Sequence, residues 1–351
     1  MGNSLNHRNS NLDLIRIIAA VAVVMIHCGA IFVADYMHLT CEFRIGNILE
    51  SISQLGVPLF VMISGALFLD ERKQVTLKGI LRKNVKSLVI VTILWAGIFA
   101  LLYKVVFPFL TGDAIYVDDV IDLFLDGYYH MWYLYMIIGL YIITPFLKKI
   151  VYKENKEMVL SFIVISLIVQ FLLPTVDMLC GKYLGGYSIT AWVGKFNLGF
   201  FNGYITYFFI GWYIAHVGIG PKWLKRSVYA LGAAALVAMM FHAYFAEDYQ
   251  NAYSNTSIFV LVYSASVFMA LCNWNVRLKE ITAEKLGNIS KLTFGVYMIH
   301  PILLGLFQKG FPYSQHPALY VMACFVTVTC SSFVIAYVAS KIPVIKKLIK
   351  L

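Results

Sequence analysis

The sequence predicts an all-α polytopic membrane protein with ten transmembrane helices, and three observations lead to this fold class. Hydrophobic residues fill 60% of the 351 positions, and the mean hydropathy is +0.77. A soluble globular domain usually has about 45 to 50% apolar residues. Apolar runs of membrane-spanning length recur along the chain, and lysine and arginine are concentrated in alternate connections between these runs.

Each apolar run has about 18 residues or more and is bounded by charges or by Gly and Pro clusters. The predicted spans lie near residues 12–33, 47–69, 87–108, 130–147, 158–176, 198–217, 227–245, 257–274, 291–309 and 317–340. They form one transmembrane domain that covers residues 1–351. The first run is longer than the apolar core of a signal peptide, so we expect it to be retained as a span.

The distribution of positive charge predicts the orientation of these spans. Of the 28 Lys and Arg residues, 22 lie before the first span, after the last one, or in the connections after the second, fourth, sixth and eighth spans. Cytoplasmic loops carry this excess, so both termini are expected in the cytoplasm. The net charge of +10 is therefore a signal of topology, and we expect membrane lipid rather than nucleic acid as a partner. The acidic stretch VDDVIDLFLDG after the third span is either an interfacial helix or a solvated loop.

The first span carries three ionisable residues, Asp13, Arg16 and His27. A charged side chain near mid-bilayer costs at least about 2.5 to 3.5 kcal/mol, so such residues indicate a functional site. Eleven helical positions make three turns plus about 20°, which places Arg16 and His27 on one face, about 16 Å apart. We predict that His27 transfers protons as a general base. The alternatives are a hydrogen-bonded core histidine, and an Arg16 that pairs with Asp13 or reaches the headgroups.

Two other histidines lie in predicted spans. His130 begins the fourth span and is followed by Trp132 and Tyr133, which form either an aromatic shelf for a sugar ring or an ordinary interfacial belt. His300 precedes Pro301 in the ninth span, and a structural role at a kink is as well supported there as a catalytic one.

Polar residues of the second and third spans complete the candidates. Lys83 and Lys86, with Arg82 beside them, stand at the cytoplasmic end of the third span and are able to bind a phosphorylated donor, although positive-inside loops carry such clusters anyway. Ser64 precedes Gly65 in the second span, where helix packing is its default role. The six cysteines have no metal-binding spacing, so no metal site is expected, and a disulfide between Cys41 and Cys180 is left open.

Four sequence blocks in order resemble the membrane acyltransferase-3 family. They are LDLIR with its R-x10-H spacing, VPLFVMISGALF, HMWYL and GVYMIHP. With the segment NLGFFNGYITYFFIGWYI, they are most similar to O-acetyltransferases of bacterial surface polysaccharides, such as the enzyme of the enterobacterial common antigen. The resemblance covers essentially the whole chain.

The resemblance implies an enzyme of the bacterial cytoplasmic membrane that moves an acyl group, usually acetyl, from acyl-CoA to a hydroxyl of a surface or lipid-linked glycan. Acetyl-CoA is then a co-substrate, with no permanently bound cofactor. In that family the residue that matches Arg16 is associated with the donor and the one that matches His27 with catalysis. Lys83 and Lys86 replace an R-x-x-R pattern, and a lysine offers a point charge rather than a bidentate fork.

Two other functions are left open by the sequence. Family members fused to an amino-acid racemase are associated with serine uptake, and an intramembrane His and Arg are equally able to line a transport path. An accessory subunit of a polysaccharide export complex is a third reading. A homo-oligomer is also left open.

Overall fold

The computed structural model describes residues 10–37, 39–152, 155–180, 187–201, 203–245, 249–274, 280–313 and 315–349. Every regular element in these ranges is a helix, as predicted. The helices are α1 (Ser10–Ala34), α2 (Cys41–Ser53), α3 (Gly56–Phe68), α4 (Leu77–Thr111), α5 (Val117–Asp126), α6 (Trp132–Ile150), α7 (Lys156–Cys180), α8 (Ile189–Gly194), α9 (Gly203–Trp212), α10 (Lys222–Phe245), α11 (Tyr249–Ala252), α12 (Ile258–Cys272), α13 (Glu280–Ser290), α14 (Thr293–Gly310), α15 (Pro317–Ala339) and α16 (Pro343–Ile349).

The described helices give seven candidate membrane spans, or eight if α13 and α14, which meet at a bend of 49°, count as one. All ten predicted runs fall on helices, but two of these helices are short. Helix α9 has 10 residues followed by a five-residue π-helical turn, and α12 has 15. An α-helix needs about 20 residues to cross 30 Å of hydrocarbon. Length and composition therefore support a multi-pass protein with seven or eight spans among the described residues.

Helix α1 lies at the centre and packs against α2, α3, α14 and α15. Glycines let two neighbouring helices approach it closely. A Cβ atom on Gly46 of α2 would lie 2.9 Å from the Phe32 side chain, and one on Gly56 of α3 would lie 2.9 Å from Val23. Backbone approach through small residues is typical of packing between membrane helices. The ionisable residues of α1 are therefore held among neighbouring helices.

Helices α3 and α9 touch at the backbone in an antiparallel pair. A Cβ atom on Gly65 would lie 1.9 Å from the Phe208 carbonyl oxygen, and one on Gly211 would lie 2.0 Å from the Met62 carbonyl oxygen. Only glycine fits at either position without backbone movement. This contact fixes α3, which supplies one wall of the cavity described below.

The outer helices expose large apolar side chains. Residues such as Ile93 on α4, Phe241 on α10 and Val334 on α15 are about half exposed or more. A continuous apolar surface of this kind is costly in water and is expected where a protein faces lipid.

The fold bears on two points that the sequence left open. The acidic stretch after the third span forms the helix α5, which packs against α4 and ends at Gly127, where φ is +77°. Cys41 and Cys180 are both exposed and free, so they form no disulfide.

Candidate active site

A cavity of about 670 Å³ opens between α1, α3, α4, α6 and α14. Its walls are mainly apolar: Phe60, Ile63, Leu67 and Phe68 from α3, Leu88, Ile90 and Val91 from α4, Leu134 and Ile137 from α6, and Phe294 from α14. Five cations also line it, namely Arg16, Lys73, Lys83, Lys291 and Lys347. We call this set the basic cluster. An apolar cavity that also carries positive charge is suited to a flexible chain that ends in phosphates.

Arg16 is held by two neighbours and still lines the cavity. Its Nη1 atom lies 3.7 Å from Oδ1 of Asp13, one helical turn earlier, and donates a hydrogen bond of 3.3 Å to the Ser290 hydroxyl. Asp13 is buried behind it. Arg16 therefore pairs with Asp13, one of the alternatives from the sequence, and also lines the cavity.

Lys291 and Lys347 reach the cavity from the C-terminal part of the chain. Lys291 lies at the bend between α13 and α14, and Lys347 lies on the short helix α16. The indole nitrogen of Trp95 on α4 donates a hydrogen bond of 3.0 Å to the Leu348 carbonyl, which ties α16 to the wall of the cavity.

Lys73 lies in the connection between α3 and α4, beside a carboxylate that is already engaged. Asp70 accepts hydrogen bonds from Nε and Nη2 of Arg72 at 3.0 and 2.7 Å, and these bonds hold the pKa of Asp70 at about 2. Burial lowers the pKa of Lys73, and Lys83 and Arg16 lower it further, while Asp70 opposes them. The repulsion among these cations favours binding of an anion.

The third predicted span contributes only one of its three candidate cations to the cavity. Lys83 lines it, whereas Arg82 and Lys86 do not, although all three side chains are exposed. Lys83 and Lys86 were predicted together at the end of this span. Residues 81–85 form a π-helical turn, whose extra residue per turn rotates the positions that follow.

A smaller recess of about 330 Å³ adjoins the cavity and shares Phe68, Lys73, Lys83 and Asn84 with it. It lies at the beginning of α4, where the Thr76 hydroxyl accepts a hydrogen bond of 3.1 Å from the Gly79 amide.

Besides those of Ser87, Ser290 and Thr293, four hydroxyl groups line the cavity. They belong to Ser64, Tyr133, Tyr141 and Tyr297. Tyr297 connects the cavity to the histidines, because its hydroxyl donates a hydrogen bond to the backbone carbonyl of His130 and its ring lies 5.1 Å from the His130 ring. Trp132, predicted beside Tyr133 on the acceptor side, instead points away; it is 40% exposed and lies 6.0 Å from the Tyr204 ring.

Three histidines from different parts of the chain meet behind Tyr297, and we call them the histidine cluster. The His27 ring stacks on His300 with centroids 5.2 Å apart and an angle of 20°, and His130 meets His300 edge-on at 5.6 Å. His300 and His130 are buried, whereas His27 is partly exposed. His130 lies in the 3-10 turn Tyr129–Met131 before α6, and both of its ring nitrogens are buried without a hydrogen-bond partner among the described residues.

The structure places the predicted residues in two groups. Arg16, Lys83, Ser64 and Tyr133 line one cavity, and His27, His130 and His300 form one cluster. Sequence reasoning missed Tyr297, which joins the two groups, although it stands in the quoted block GVYMIHP. It also missed Lys73, Lys291 and Lys347, because it treated these lysines only as loop charge.

The described residues contain no group of three or more His, Cys, Asp or Glu side chains arranged to hold a metal ion. A neutral imidazole is able to take a proton from a hydroxyl and return it, and the cations are able to hold a phosphorylated group.

Comparison with curated proteins gave no match, and neither did comparison with solved structures. Comparison with family models gave one, an acyltransferase domain that matches residues 9–337 and so nearly the whole chain. With its apolar helices, this match makes the chain a multi-pass membrane acyltransferase that belongs to the acyltransferase-3 family.

Proposed function

We propose that this acyltransferase moves an acetyl or similar acyl group from cytoplasmic acyl-CoA to a hydroxyl of a surface or lipid-linked glycan. The observation that carries the proposal is one cavity that is lined both by the basic cluster and by Tyr297. The Tyr297 ring in turn contacts the rings of His130 and His300. The phosphates of the donor bind at Arg16 and the lysines, and the narrow acyl-bearing arm extends between the apolar walls.

In the proposed reaction, His27 removes the proton from the acceptor hydroxyl while its oxygen attacks the thioester carbonyl. The carbon–sulfur bond then breaks, and the departing thiolate takes the proton from the His27 imidazolium. His27 is suited to this role because it is the partly exposed member of the histidine cluster. The new ester bond stays on the glycan, and free CoA leaves towards the basic cluster.

The proposal includes an orientation. Ten spans with both termini in the cytoplasm place the basic cluster on the side where acyl-CoA is made, in the cytoplasmic membrane of a bacterium. The charge bias of the loops supports this arrangement. Acceptors of the type used in enterobacterial common antigen then approach His27 from the other side, near His130 and Tyr133.

Membrane vesicles test the reaction and the orientation together. Acetyl-CoA labelled in the acetyl group is added outside either inverted or right-side-out vesicles, and label is measured in the glycan and lipid-linked sugar fractions. We expect transfer only in inverted vesicles, and its loss in His27→Ala. The variant His316→Asn is a matched control, since His316 lies in the loop before α15, outside the cluster.

Two results would overturn the proposal. Near-normal transfer in His27→Ala would remove the assigned base, and transfer from acetyl-CoA outside right-side-out vesicles would reverse the orientation. Uptake of labelled serine without consumption of acetyl-CoA would instead favour transport.

A further inference from the structure

The inference begins with the backbone of α14 around Pro301. In an α-helix the carbonyl of residue 297 accepts a hydrogen bond from the amide of residue 301. Proline has no amide hydrogen, so the Tyr297 carbonyl is left for another donor. The structure supplies one: Nδ1 of His300 lies 2.7 Å from the Tyr297 carbonyl oxygen and 3.2 Å from that of Val296.

These two contacts determine which nitrogen of His300 carries the hydrogen. A carbonyl oxygen only accepts hydrogen bonds, so Nδ1 is the protonated nitrogen. In the neutral imidazole the lone pair is then on Nε2. That atom is buried and has no hydrogen-bond partner among the described residues. Pro301 therefore selects the tautomer and the orientation of the neighbouring ring.

The anchored ring lies directly against His27. The two imidazoles are stacked with an angle of 20° between them, a geometry that fixes the plane of the His27 ring but forms no hydrogen bond between the rings. Tyr129 meets the His27 ring edge-on at 5.0 Å and His130 meets the His300 ring edge-on at 5.6 Å, which limits tilting of the stacked pair.

Electrostatic repulsion also favours a neutral His300 beside a His27 that takes up the proton. Two positive imidazoliums about 5 Å apart would repel strongly in a buried site, so the pair carries at most one extra proton. A His27 imidazolium formed during the reaction would then lie against a neutral ring rather than a second cation.

From this arrangement we infer that His300 is a positioning residue that holds the plane of the His27 base, and that Pro301 acts through it by freeing the Tyr297 carbonyl. The inference rests on the proposed function, in which His27 is the base. It assigns His300 no contact with substrate. It also gives Pro301 a role other than bending the helix.

A double-mutant cycle tests the inference, with His300→Phe, Pro301→Ala and the double variant. Phenylalanine keeps a flat ring but has no N–H anchor, and alanine at 301 restores an amide that competes for the Tyr297 carbonyl. We expect His300→Phe to lower kcat by up to about 100-fold, the cost of misplacing a reacting group by about 1 Å, with donor KM nearly unchanged. We expect Pro301→Ala to lower kcat less, and to have no further effect in the double variant.

A second readout does not depend on activity. Protein labelled with ¹⁵N-histidine is expected to show one neutral histidine with its hydrogen on Nδ1, a signal that disappears in His300→Phe and shifts towards the Nε2–H form in Pro301→Ala. Thermal unfolding of each detergent-solubilised variant shows whether it is folded.

The outcomes separate this inference from the proposed function. Independent effects of the two substitutions on kcat, or a His300 signal with the hydrogen on Nε2, would overturn the inference alone. An active His27→Ala variant would overturn the proposed function and this inference with it.

Discussion

The cavity combines a fixed positive charge with a titratable one. Arg16 stays protonated at any pH at which the protein is folded, and its planar group is shared between Asp13 and Ser290. Lys73 is different, because burial and two neighbouring cations lower its pKa. A phosphate bound beside Lys73 would favour its charged form, so donor binding and protonation of Lys73 are linked.

This linkage predicts the pH dependence of donor binding. As the pH rises, Lys73 loses its proton before an ordinary lysine does, so we expect donor KM to rise on the alkaline side. In Lys73→Arg the charge remains, and the rise should move to higher pH. The measurement is donor KM against pH from neutral to alkaline conditions in inverted vesicles.

The control is Lys104→Arg, because Lys104 pairs with Asp119 at 3.2 Å outside the cavity. This variant should leave the dependence of donor KM on pH unchanged. Asp70 raises the pKa of Lys73 but does not itself titrate in this range. Its pKa is depressed, so the stabilisation it gives is complete above about pH 4 and is lost only as the pH falls towards 2. The same alkaline rise in wild type and Lys73→Arg would mean that Lys73 does not face the donor.

At the scale of helices, the contact between α3 and α9 makes a prediction about stability. The Cβ of Gly65→Ala would meet the Phe208 carbonyl at 1.9 Å, which requires the two backbones to separate. Overpacking of this kind costs about 1 to 3 kcal/mol or more, so we expect a lower unfolding temperature in detergent and reduced activity. Activity falls as well because α3 forms a cavity wall.

Gly139→Ala on α6 is the matched control. A Cβ there meets nothing within 4 Å, and alanine favours a helix by up to about 1 kcal/mol over glycine. We expect this variant to be as stable as wild type or more so. Equal unfolding temperatures for Gly65→Ala and wild type would show that α3 and α9 lie farther apart than described.

The helices also show what the sequence could predict. Hydropathy located α1 to within two residues, because a long apolar run leaves little choice of conformation. It could not predict the π-helical turn at residues 81–85, since Leu81, Arg82, Lys83, Asn84 and Val85 are all compatible with a regular helix. Lys83 lines the cavity and Lys86 does not, a difference that hydropathy also does not predict.

For the whole molecule, the sequence predicted an all-helical, multi-pass protein, but not which distant residues meet. The R-x10-H spacing on α1 is local, so helical geometry alone relates Arg16 to His27. The stacking of His300 on His27 joins positions 273 residues apart in the chain and depends on how α14 packs against α1. Tyr297 was missed for the same reason, since its role depends on a carbonyl of the connection before α6.

The charge of the whole cavity predicts how salt affects the enzyme. Five cations line one cavity, and the described lining contains no carboxylate. The Debye length shortens from about 30 Å at 0.01 M salt to about 8 Å at 0.15 M, so attraction of an anionic donor weakens over this range. We expect donor KM to rise with salt, while acceptor KM changes little.

Two substitutions and one substrate analogue make this prediction specific. Replacing Lys291 and Lys347 with glutamine should make donor KM less dependent on salt, because both line the cavity, whereas Lys104→Gln should not. S-acetylpantetheine has the acyl-bearing arm of the donor but no phosphate. Its KM should be high and nearly independent of salt, because only the phosphates interact with the basic cluster. An equally steep salt dependence for both donors would mean that the cations act on the stability of the protein or on the acceptor, and the donor would then have to enter by another route.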